Sequence, residues 1–176
     1  KRFGADFRYR LKARPEAPRR MLINGNEALA LGALAGGCRF MSAYPMTPAT
    51  SIIEWLAALP PDYGMVTKHT EDEIAAICQA IGASYAGARA MTATSGGGPS
   101  TGLPTRTEQS DLLFAINAAH GEFPRIVLAP RSVEECFEMG WRAFNLADRY
   151  QCPVIILTDQ FLASSLRTLD PKLIDF

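Results

Sequence analysis

The chain has 176 residues, 48% of them hydrophobic, and a formal net charge of zero. That length suits one domain with a sizeable core; no apolar run approaches the roughly 20 residues of a bilayer span, and the start lacks the apolar region of a signal peptide. Cys38, Cys78, Cys136 and Cys152 lie far apart with no C-x-x-C and no nearby histidine pair, which argues against zinc or iron–sulfur ligation by this chain and fits reduced thiols in a cytoplasm. All four are expected to be small core residues.

Residues 1–20 carry eight of the 18 Lys+Arg and only Asp6 and Glu16 as acids. A basic arm ahead of an acidic body is one signature of nucleic-acid binding. Here Phe3, Phe7, Tyr9, Leu11, Pro15 and Pro18 interleave with the charges, and the body has no basic groove to continue a phosphate track. The arm is expected to be an extended linker lying on an acidic protein surface, with neither nucleic acid nor membrane as partner.

From Asn24-Gly25-Asn26-Glu27 a helix rich in Ala and Leu runs to Gly36-Gly37, a C-cap signal. A strand is predicted over 39–44, a helix over 48–59, a short strand over 65–68, a helix over 71–86 and a strand over 89–94. Helix 107–120, strand 126–129, helix 132–149 and strand 154–157 complete the pattern. This order predicts an α/β fold, a mostly parallel sheet with helices on both faces.

Tyr44-Pro45-Met46-Thr47-Pro48 falls at a strand's carboxyl end and a helix's amino end, where open α/β sheets bind ligands. A helix start favours a carboxylate or phosphate. From spacing alone the simpler reading is that Thr47 is an N-cap, with Pro48 at the first helical position.

After strand 89–94 come Ser95-Gly96-Gly97-Gly98-Pro99-Ser100 and a loop rich in Thr, Pro and Gly. A parallel sheet needs a crossover helix and a further strand here, and a βαβ unit takes roughly 30 residues. None is present, which predicts a segment skipped near 96–98. A phosphate loop is the alternative, but neither a lysine nor a helix directly follows the glycines.

Three ordered segments carry a resemblance. They are Tyr44-Pro45-Met46-Thr47-Pro48; Glu71-Asp72-Glu73-Ile74-Ala75-Ala76 with Gly82-Ala83-Ser84-Tyr85-Ala86-Gly87 and Thr92-Ala93-Thr94-Ser95-Gly96; and 98–109, Gly98 to Gln109. Together they resemble the pyrimidine-binding domain in the α subunit of 2-oxoacid:ferredoxin oxidoreductases, which are thiamine-diphosphate enzymes. The likeness spans about residues 21–165, leaving 1–20 as the arm and 166–176 as the start of a linker to another domain.

The resemblance implies oxidative decarboxylation of a 2-oxoacid, with 2-oxoglutarate as the first guess, and transfer of the acyl group to coenzyme A. It implies that Glu73 stabilises the cofactor's imino form at a pyrimidine nitrogen, and that Tyr44, Pro45, Ser95 and Gly96 help to bind the cofactor. Thr47 and Arg106 would hold the substrate carboxylate, Arg106 by a bidentate pair. It places the diphosphate, its Mg²⁺ and the nearest iron–sulfur cluster on a partner β subunit, with ferredoxin as acceptor, in a cytoplasmic hetero-oligomer or dimer of heterodimers. Read from the residues alone, Thr70-Glu71-Asp72-Glu73 is also a capping box, and Arg106 could be a loop charge or pair with Glu108.

His120, before Gly121, is expected at a helix end, where a cation complements the dipole. His69 lies beside the acidic cluster and could line the cleft, whereas Trp55 and Trp141 fall in amphipathic helices and are expected to pack in the core. A transketolase-like or decarboxylase thiamine enzyme and a non-catalytic partner-binding module are the alternatives. The module would leave Glu73 and Arg106 facing solvent.

Overall fold

In the computed structural model, which describes residues 16–95 and 111–173, Asn24 opens the first helix through a complete capping box. Its side chain accepts from the Glu27 N–H at 2.9 Å, and the Glu27 carboxylate accepts from the Asn24 N–H at 3.0 Å. This helix, α1 (Gly25–Ala35), follows a short strand, β1 (Met21–Ile23). Next come β2 (Phe40–Ala43), α2 (Thr50–Ala57), β3 (Val66–His69), α3 (Glu73–Tyr85) and β4 (Ala90–Met91). The remaining elements are α4 (Asp111–Asn117), β5 (Ile126–Leu128), α5 (Val133–Tyr150), β6 (Val154–Ile156), α6 (Gln160–Ser164) and β7 (Arg167–Leu169).

The parallel arrangement expected from the alternating pattern is present. Strand β2 is central in the order β3-β2-β4, paired parallel on both sides, with Phe40 opposite Val66 and Ala90. Strands β5 and β6 form a separate parallel pair, and β1 pairs antiparallel with β7. Arg167–Leu169 is thus part of the fold rather than linker, and Leu169 is buried in the core. Strand β4 keeps two of the six residues expected over 89–94, because its ladder to β2 covers only Ala90 and Met91.

The core gathers Met41 of β2, Ile52, Ile53 and Leu56 of α2, Leu29 of α1, and Val133, Cys136 and Phe137 of α5, with Trp55 and Trp141 packed partly buried against it. Helices α1 and α5 touch backbone to backbone. A Cβ on Gly32 would stand 2.1 Å from the Phe137 carbonyl oxygen, and one on Gly140 would stand 2.7 Å from that of Leu29. No side chain fits at either contact.

Helix α3 behaves differently. Its apolar residues Ile74, Ile77, Ile81 and Tyr85 recur at helical spacing yet are exposed, Ile74 by 75% and Tyr85 by 91%. Cys78 is exposed on the same helix, against the expectation of four core cysteines. The other three are buried. Desolvation pushes the Cys38 thiol up to about 11 and the Cys136 thiol to about 12. Among the described residues no helix is long and apolar enough to cross a membrane. Of the basic arm over 1–20, residues 1–15 lie outside the described residues, and 16–20 are exposed and form neither helix nor strand.

Two outcomes follow from this packing. Gly32→Ala should destabilise the fold by about 2 kcal/mol, as overpacking of a tight contact does, read as a lower urea midpoint at unchanged slope. In native protein at pH 8, a thiol reagent should modify Cys78 at once and Cys38 and Cys136 only as the chain unfolds, as peptide mapping would record.

Candidate active site at the carboxyl edge of the parallel strands

Because β2, β3 and β4 run parallel, their carboxyl ends meet at one edge. Strand β2 delivers Tyr44 and Pro45, both exposed, and then the turn to α2. Strand β3 delivers His69, which pairs with Ala43 and is itself exposed. The segment after β4 delivers Ser95, whose hydroxyl donates to the Thr47 carbonyl at 2.6 Å. Tyr44, Pro45, Thr47 and Ser95 are thereby brought to one place.

Thr47 is not an N-cap, and Pro48 is not the first helical residue. The Thr47–Pro48 peptide is cis, α2 starts at Thr50, and its N-cap Ala49 makes no side-chain cap bond. The helix start is held from outside instead. The Thr50 N–H reaches the Met46 carbonyl at 3.1 Å, and the Asn26 amide of α1 donates to the Pro48 carbonyl at 2.7 Å and to the Ser51 hydroxyl at 2.9 Å. The exposed Thr47 side chain has no hydrogen-bond partner among the described residues. It lines a shallow depression with Pro48, Ser51, Glu54 and Ser164.

The capping box at Thr70–Glu73 is also absent, for a definable reason. The Thr70 N–H still extends the strand pairing by bonding the Ala43 carbonyl at 3.1 Å, so the chain has not yet turned. Asp72 is the N-cap, accepting from the Ala75 N–H at 2.6 Å, and Thr70 donates to the Asp72 carbonyl at 3.0 Å. Glu73 becomes the first helical residue. It is half-buried and makes no hydrogen bond or ion pair among the described residues. One turn further on, the fully buried Ser42 hydroxyl of β2 donates to the Ala76 carbonyl at 2.6 Å, tying α3 to the central strand.

His120 does not cap: α4 ends at Asn117, and His120 lies exposed beyond it. Gly96 and Arg106 lie outside the described residues. Sequence reasoning passed over Asn26 and Ser42, the buried polar residues of this region. Asn26 carried a signal, since Asn24 already caps the helix and a second Asn two residues on has no capping duty.

Comparison with known proteins places this geometry. The family model described as "Pyruvate flavodoxin/ferredoxin oxidoreductase, thiamine diP-bdg" matches residues 31–100 and 97–171. The chain is 43% identical over 203 residues to "2-oxoacid:ferredoxin oxidoreductase 1, subunit alpha" of Sulfurisphaera tokodaii, covering 93% of this chain and 32% of that protein. It is 42% identical over 167 residues to "2-oxoglutarate synthase subunit KorA" of Methanothermobacter marburgensis, covering 80% of this chain and 44% of the relative. A solved 2-oxoglutarate:ferredoxin oxidoreductase from Magnetococcus marinus, with 2-oxoglutarate, coenzyme A and succinyl-CoA bound, superposes with a TM-score of 0.83 at 41% identity, covering 94% of this chain and 34% of that one. The chain thus spans less than half the length of these relatives.

The separation of cap from carboxylate is testable by unfolding. Asp72→Ala should cost about 1 kcal/mol, whereas Glu73→Gln should change stability by less than about 0.5 kcal/mol. A larger loss for Glu73→Gln than for Asp72→Ala would return Glu73 to a capping role.

Proposed function

Because the chain belongs to the pyruvate flavodoxin/ferredoxin oxidoreductase family through its thiamine diphosphate-binding domain, we propose that it is the pyrimidine-binding domain in the α subunit of a 2-oxoacid:ferredoxin oxidoreductase. The observation that carries this reading is Glu73. A half-buried carboxyl group opens a helix at the ligand-binding edge of a parallel sheet, with its capping duty taken by Asp72. The relatives named as 2-oxoglutarate enzymes make 2-oxoglutarate the first substrate to test.

The residues present fit thiamine diphosphate at its pyrimidine end, since a half-buried carboxyl group without a hydrogen-bond partner among the described residues is the donor that end requires. When bound, the cofactor supplies the carbon nucleophile and the carbanion stabilisation that decarboxylation needs. Glu73 would hold the proton exchanged with the pyrimidine ring nitrogen. Tyr44, Pro45, Ser95 and Gly96 would help to hold the cofactor. The Thr47 hydroxyl donates to the substrate carboxylate, Arg106 pairs with it in bidentate fashion, and the nearby start of α2 adds partial positive charge.

In this reading the diphosphate, Mg²⁺ and an iron–sulfur cluster belong to a β subunit, ferredoxin is the acceptor, and coenzyme A takes the acyl group in the cytoplasm. The subunits form a hetero-oligomer or a dimer of heterodimers. The α-subunit naming of the relatives and the bare apolar face of α3 beside Glu73 support a partner there. We also read the chain as lacking an internal segment near 96–98 that its relatives have. The family model matches in two blocks that meet at 97–100, and the alignment to the Sulfurisphaera protein covers 203 residues against 176 here.

The test is coenzyme A-dependent reduction of a low-potential dye by the full-length α subunit assembled with its partner, given 2-oxoglutarate, pyruvate and branched 2-oxoacids. Turnover should require thiamine diphosphate, and Glu73→Gln should lower kcat by about 10²–10⁴-fold. A folded, cluster-loaded complex that turns over no 2-oxoacid would overturn the reading in favour of another thiamine chemistry or a non-catalytic subunit.

A further inference from the structure

We propose that Asn26 is a positioning residue for substrate binding: from inside α1 it fixes the turn on which Thr47 stands. This rests on the assignment of Thr47 to the 2-oxoacid carboxylate.

Asn26 is 3% exposed, and both recorded bonds of its amide nitrogen leave its own helix. One goes to the Pro48 carbonyl at 2.7 Å and one to the Ser51 hydroxyl at 2.9 Å; Ser51 itself lies 3.4 Å from the same carbonyl. The preceding carbonyl, that of Thr47, is held by Ser95. The two peptide oxygens that directly follow the Thr47 Cα are therefore gripped from two different parts of the chain, and the Thr47 side chain beside them has no hydrogen-bond partner among the described residues. The grip matters because α2 gives the turn no side-chain cap of its own. Its anchor is rigid, since α1 is locked against α5 through Gly32 and Gly140. A donor is required: Asp is the same size as Asn but would set an oxygen against the Pro48 carbonyl, and Ala leaves both acceptors short.

The experiment is a double-mutant cycle between Asn26→Ala and Thr47→Val in the full-length α subunit assembled with its partner. Each single variant should raise KM for 2-oxoglutarate about tenfold with kcat within about threefold, and the double variant should be no worse than Thr47→Val alone. Asn26→Asp should do at least as much harm as Asn26→Ala. Additive KM effects, or a loss in Asn26→Ala confined to kcat and thermal midpoint, would make the residue merely structural and overturn the proposal. If the complex is active but Thr47→Val leaves KM unchanged, the substrate role of Thr47 fails and the proposal with it. Amide hydrogen exchange over 44–52 then shows whether the mechanical grip survives that failure. Exchange accelerated about tenfold in Asn26→Ala relative to 73–85 upholds the grip, and unchanged protection removes it.

Discussion

Helix α1 can lie where it does only because its backbone meets that of α5 with nothing between them. Gly32 and Gly140 face carbonyl groups at distances that no Cβ tolerates, and the other buried residues of α1 are Gly25, Asn26, three alanines and Leu29. A helix made of small residues has little area to bury, so its stability comes from closeness: each atom at the crossing gains dispersion contacts that a larger spacing would forfeit. The consequence for the site is positional. Fixing α1 against α5 fixes its amino-terminal turn, and with it Asn26, beside the loop that leaves β2.

The site is then assembled by a few polar bonds between elements rather than by apolar packing. Asn26 reaches the Pro48 carbonyl, Ser95 the Thr47 carbonyl, and Ser42 the Ala76 carbonyl. Each such bond contributes only about 1 kcal/mol net, but leaving a buried partner unsatisfied costs more. The Arg89–Asp148 ion pair, at 2.5 Å, looks stronger and counts for less, because both side chains are substantially exposed. The buried Ser42 bond and the part-buried Asn26 bond therefore outweigh the most conspicuous charge contact. Their effect is on where Thr47 and the start of α3 are held more than on whether the chain folds.

Much of this was legible from residue order. The helix start at Asn24, the Gly36–Gly37 stop and the helices expected over 48–59 and 132–149 follow from local chemistry, and the structure has them, the last two as Thr50–Ala57 and Val133–Tyr150. The failures share a cause, which is that local pattern cannot say which backbone groups are already taken. Thr70 and Asp72 are both good N-caps; the β2–β3 pairing decides between them by claiming the Thr70 N–H. Thr47 looks like a cap until Asn26, 21 positions earlier in the sequence, proves to hold the turn instead. Strands β1 and β7 are three residues each and join distant parts of the chain, so neither has a period to read. In both site loops the residue that seemed to have a structural job is released from it by a neighbour.

That release has a consequence at α3. Ile74 follows Glu73 directly and begins the apolar stripe that continues through Ile77 and Ile81 to Tyr85. In the proposed assembly, a subunit that covers the stripe must come within one residue of the carboxyl group. Burying Ile74 and excluding water from the Glu73 side of the cleft are then one event, driven by apolar area rather than by the ligand. The carboxyl group, half-buried and without a hydrogen-bond partner among the described residues, keeps access to water while the stripe is bare. In the proposed assembly Glu73 would then face the cofactor's pyrimidine nitrogen instead of water, so assembly and completion of the site would be coupled through a single turn of helix.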